Sequence, residues 1–160
     1  MKSAVLIFPV LILYSSNITA QLEKEKIDKW IGAWEGTFEI GGYKNVEVLE
    51  NRWIHNDKFF KIELKGHLAD DPEMKYSSTT FYTSDGDGNI FGWRFDDNGY
   101  DAVTTFKGKM DNNKIILTGK SKDFTLKETC ELKDNKILRK SECKYGNKDP
   151  IVIEVTYYKK

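Results

Sequence analysis

The sequence has no surplus of either charge. Its 160 residues hold 25 Lys and Arg against 25 Asp and Glu, a formal net charge of zero. Binding nucleic acid through phosphate contacts needs a clear basic excess, so that class is excluded. No long apolar run occurs past Ala20, which excludes a later helical membrane span. Histidine is limited to His55 and His67, and no Cys, His, Asp or Glu cluster has the spacing of a zinc site. The Gly-x-Ser-x-Gly, phosphate-loop and dinucleotide motifs are all missing. Internal repeats, low-complexity runs and linkers are missing too, so one domain suffices. Aromatics make up 13% of the chain, which with the β-branched content is too much for a disordered one.

What is present begins with an address. Lys2 precedes an almost unbroken apolar run from Ala4 to Tyr14, and Ser15 to Ala20 is small and polar, with Ile18 and Ala20 at cleavage-site spacing. The run is too short to span a bilayer as a folded anchor and reads as a signal peptide, residues 1–20, the alternative being an uncleaved N-terminal anchor. The expected mature protein is residues 21–160, secreted or periplasmic, with no membrane span. The triplet Asn17-Ile18-Thr19 falls inside the removed segment.

The mature chain is a succession of short strands. Leu22 to Trp30 predicts a short helix. Period-two alternation follows: Trp34, Gly36, Phe38 and Ile40 against Glu35, Thr37 and Glu39. Gly41-Gly42 marks a hairpin into a strand from Tyr43 to Ile54. Phe60, Ile62, Leu64 and Leu68 alternate with Lys61, Glu63, Lys65 and His67. Polar turns then separate runs at 74–83, 90–96, 100–107, 114–120, 124–132, 137–143 and 151–158. That makes about ten strands joined by short turns, hence antiparallel neighbours. An open meander leaves two exposed edges and no helix is long enough to cover them. The expected fold is therefore all-β, a single antiparallel up-and-down barrel over residues 21–160 with a short N-terminal helix.

The segment Trp30-Ile31-Gly32-Ala33-Trp34-Glu35-Gly36 resembles the Gly-x-Trp motif that opens the first strand of lipocalins. The segments Asn89 to Asp96 and Gly108-x-x-Asp111-x-x-x-Ile115 are similar to lipocalin-like domains of unknown function in the calycin superfamily. Gly32 then allows a tight turn into the first strand, and Trp34 plugs one end of the barrel. The resemblance implies a late arginine packed across this tryptophan, and Arg52, Arg94 and Arg139 are the arginines present. The chain ends on a strand, without the C-terminal helix of many lipocalins. Relatives that bind heme use a late histidine, which this sequence lacks, so no cofactor is expected.

The aromatics are the main candidates for a site. Phe38, Phe60, Ile62, Tyr82, Trp93, Phe95, Phe106 and Tyr157 are expected in the barrel interior, either filling it or lining a pocket for a small, mostly apolar guest. Tyr76, Ser78, Thr80 and Tyr82 share one strand face and make the interior partly polar if that face points in. The acidic turn Asp85-x-Asp87-x-Asn89 with Asp96 superficially fits a calcium loop but lacks its glycine, glutamate and helices, so it reads as a hairpin turn. Most of the remaining carboxylates read as solvated strand faces and turns. Cys130 and Cys143 present a conflict. An oxidising compartment favours a disulfide between them. If Leu132 faces Ile137, however, Cys130 faces Arg139, and the offset to Cys143 is about 13 Å along the strand, beyond disulfide reach.

Three functions compete at this point. The first is a secreted barrel binding a small apolar molecule. The second is a filled barrel acting through its outer surface as an envelope or extracellular interaction module. The third is an enzyme at the barrel mouth, for which no catalytic residue or metal ligand is identifiable.

Overall fold

A computed structural model describes residues 24–97, 99 and 103–160. The expected signal peptide, residues 1–20, and Leu22 of the expected helix lie outside the described residues.

A one-turn helix α1 (Lys24–Ile27) runs into a 3-10 turn at Asp28–Trp30. Ten strands follow: β1 (Gly32–Ile40), β2 (Tyr43–Ile54), β3 (Phe59–Leu68), β4 (Lys75–Ser84), β5 (Asn89–Asp96), β6 (Thr104–Asp111), β7 (Lys114–Lys120), β8 (Phe124–Lys133), β9 (Lys136–Tyr145) and β10 (Ile151–Lys159). Consecutive strands pair antiparallel, and β1 pairs with β10, so the sheet closes into one barrel. The expected alternation is therefore realised as a closed surface with no free edge. The strand expected from Tyr100 begins at Thr104, residues 100–102 lying outside the described residues.

The period-two pattern sorts side chains across the wall. Strand β3 turns Phe60 and Ile62 inward, β7 turns Ile115 and Leu117 inward, and β10 turns Val155 and Tyr157 inward. Strand β4 brings Tyr76, Ser78, Thr80 and Tyr82 to the inner face, so the interior is partly polar. Two glycines opposite this strand make room for its tyrosines. A Cβ on Gly66 would lie 2.2 Å from the Tyr76 ring, and one on Gly92 would lie 2.4 Å from the Tyr82 ring.

The N-terminal segment closes one end of the barrel. Ile27, Trp30 and Trp34 are buried there. The Trp30 carbonyl accepts bonds from Trp34 Nε1 at 2.9 Å and from Asn51 Nδ2 at 3.0 Å. Trp53 Nε1 donates to Asp28 at 2.7 Å, and Lys24 bridges to Asp57 in the β2–β3 turn at 3.2 Å. Gly32 has φ of +120°, a left-handed value that glycine adopts at least cost. The cation over the Trp34 ring is Lys159, at 5.4 Å, and not an arginine as the lipocalin resemblance implied.

Register settles the cysteines. Leu132 pairs with Ile137, and therefore Cys130 with Arg139 and Cys143 with Leu126. The disulfide favoured by an oxidising compartment is not formed; both thiols are free. The acidic turn closes on itself: Asp85 accepts from the Asp87 amide at 2.9 Å and from Asn89 Nδ2 at 2.7 Å. Asp96 ends β5, at the far end from that turn.

Candidate functional site

Two charged networks cross the barrel interior. Glu47 of β2 lies inside with a side chain 4% exposed. It accepts from Tyr76 Oη at 3.1 Å, from Arg139 Nη2 at 2.8 Å and from Tyr157 Oη. Glu128 of β8 is 3% exposed. Its two oxygens each lie 3.1 Å from Arg94 Nη2, and Ser141 Oγ donates to it at 3.0 Å. Arg94 Nε in turn donates to Thr80 Oγ1 at 3.2 Å. Both guanidiniums also lie over rings, Arg94 at 4.9 Å from Phe106 and Arg139 at 5.3 Å from Tyr157.

The electrostatics follow from this pairing. Burial alone would lift the Glu128 carboxyl. Arg94 and then Arg139 outweigh it, so the group is held below the ordinary carboxylate range and stays ionised. Burial and the Glu128 charge push the Tyr82 hydroxyl and the Cys130 thiol up, so both stay protonated. Two cations thus face two carboxylates, and the interior is neutral as a whole.

Between the networks lies a cavity of about 40 Å³, enough for about three waters. Its lining mixes apolar residues, among them Leu49, Phe60, Ile62, Leu64 and Leu117, with polar ones, Ser78, Thr80, Arg94, Glu128 and Arg139. Arg139 Nε is buried on this lining without a hydrogen-bond partner in the protein. A buried unpaired N–H is costly, so this atom is a ready donor to anything that enters the cavity.

Of the residues expected in the interior, Phe60, Ile62, Tyr82 and Tyr157 line the cavity. Phe106 is buried beneath Arg94, and Phe38 is a partly buried residue packed on the core. Trp93 and Phe95 are corrected: they lie on the outer wall, 39% and 46% exposed. Strand β5 instead turns Ile90, Gly92 and Arg94 inward, because Tyr82 already fills the space a larger residue at position 92 would take. A second correction concerns carboxylates, since Glu47 and Glu128 are buried. Glu128 and Arg139 were detectable, being in phase with Leu126 and Cys130 and with Ile137 and Ser141. Glu47 was masked by Val46 and Val48, which mimic an inward set from the opposite face.

No protein-family model and no curated protein matches the chain. Among solved structures it is similar to Rv2717c from M. tuberculosis, with 9% identity and a TM-score of 0.69 over 86% of this chain and 96% of that one. At that identity the likeness is one of fold alone, the fold here being the closed ten-stranded barrel.

Proposed function

We propose that the chain is an exported, lipocalin-like protein that holds a small guest of mixed polarity inside its barrel. The observation that carries this reading is the unpartnered Nε of Arg139 on the cavity wall, in a guanidinium that pairs with Glu47 beside the Arg94–Glu128 pair. Burying an Arg–Glu pair seldom adds stability over a well-packed apolar replacement. Two such pairs beside a cavity therefore suit recognition better than they suit packing. A guest fits with an oxygen acceptor on Arg139 Nε and its apolar part against Leu49, Ile62 and Leu117. This revises the mostly apolar guest expected from the aromatics alone. A guest larger than about three waters requires the lining side chains to rearrange. Export is supported by the apolar run Ala4 to Tyr14.

Native mass spectrometry of the protein purified from its own source tests the reading. The expected result is an added mass, released on denaturation, from a molecule bearing a carbonyl, carboxyl or hydroxyl oxygen. A bare polypeptide mass that no small amphiphile shifts, in titration or in melting temperature, overturns it. That outcome favours the filled barrel working through its surface, which the exposed aromatics of β5 support.

A further inference from the structure

Strand β5 places its bulkiest side chains outside. Trp93 and Phe95 project from the wall, and Phe81 of β4 meets Phe95 edge-on with ring centroids 6.2 Å apart. With Ile54, His55 and Phe59 they line an outer groove of about 290 Å³. His55 and Phe59 form a second edge-on pair at 6.0 Å, which fixes the far wall. An exposed cluster of aromatic side chains of this kind marks an interaction site more often than single exposed hydrophobics do.

Three features narrow the partner. The barrel is closed, so nothing can add to it as an extra strand, and contact must run through side chains. The edge-on His55–Phe59 pair bounds the patch on one side and Phe81 with Phe95 on the other, leaving an open, shallow groove that takes one side chain. Its surroundings are basic. Lys61 sits beside Phe81, Lys107 beside Phe91, and Lys120 beside Thr105 next to Trp93. Arg52 lies beside Lys61, and the nearby carboxylate of Glu63 already bonds both, at 2.9 Å and 2.8 Å. The outward positions of β4 from Lys75 to Thr83, and of β5 from Asn89 to Phe95, hold no carboxylate.

We propose that this groove docks an acidic polypeptide segment, one large apolar side chain entering between Phe59, Phe81 and Trp93 while flanking carboxylates meet Lys107 and Lys120. The central side chain supplies burial, and the rim supplies steering and selection by charge. The site is separate from the barrel interior and does not depend on a guest there.

The test is an array of fluorescein-labelled peptides with a central Leu, Phe, Tyr or Trp flanked either by Asp and Glu or by Lys. Binding is read by anisotropy on the full protein. Acidic members are expected to bind saturably and to weaken as salt rises. Trp93→Ser is expected to weaken them about tenfold or more, as an anchor loss does. Lys107→Glu serves as a second variant, with the same direction and a smaller change. Both positions are outside the core, and circular dichroism confirms the fold. Equal binding of Lys-flanked peptides, no binding by any member, or affinity unchanged in both variants overturns the proposal. Trp93-dependent binding to phosphatidylglycerol vesicles without peptide binding also overturns it and assigns the face to an anionic membrane.

Discussion

Glu128 and Arg94 show what a single buried pair demands. Removing one partner leaves the other charge stranded in the barrel, a loss of about 3–5 kcal/mol. Glu128→Gln is expected to fall in that range by urea denaturation, whereas Arg94→Met combined with Glu128→Leu should recover most of it. The same pair sets an acid limit. The Glu128 carboxyl is held below its ordinary value of 4.5 in the folded state. Its contribution is therefore complete above the unfolded value and is lost as pH falls through the folded one. Urea midpoints measured downward from pH 6 should drop below about pH 4.5, and Glu128→Gln should flatten part of that drop. At Cys130 burial acts the other way and raises the thiol. Iodoacetamide should label it slowly in the folded protein and rapidly in urea, and the intact mass should show both thiols reduced. Equal labelling rates would place this side chain outside the wall.

Strands and turns were legible because their signals are local. Leu132 opposite Ile137 fixed the β8–β9 register and with it the separation of the cysteines. Facing was harder. In β5 the aromatic set reads as the buried one, yet Gly92 and Arg94 take the inner positions and Trp93 and Phe95 the outer. Alternation names two faces without saying which is inside, and only the neighbouring strand's tyrosines decide it. In β2 the valines beside Glu47 misled in the same way. The interior site was therefore only half visible, its apolar wall expected and its ion pairs not. The opening of β1 was readable in its glycine and its tryptophan, but not in the cation over the ring, which is Lys159. Trp34 is buried and bonded to the Trp30 carbonyl, and Trp34→Ala is expected to cost about 3–5 kcal/mol as a large core truncation. A loss below about 1 kcal/mol, the range of exposed sites, would contradict its role as the plug.

At the scale of the whole molecule, the barrel separates two surfaces of opposite character. Inside, charges are matched in two ion pairs; outside, an aromatic groove lies among lysines. Among the described residues no helix is long and apolar enough to cross a membrane. The closing seam carries a further consequence. It joins the first strand to the last, from Trp34 opposite Lys159 to Thr37 opposite Thr156. Lys160 adds a backbone bond to Ala33 at 2.9 Å and a side-chain bridge to Glu35 at 2.6 Å. During synthesis β1 emerges early and waits for a mate that is made last. Until then the nascent chain is a sheet with two sticky margins, and its assembly is limited by its most sequence-distant pairing. Deleting residues 151–160 should leave β1 and β9 each with one open edge, and the product should elute from a sizing column as aggregate rather than as a smaller barrel.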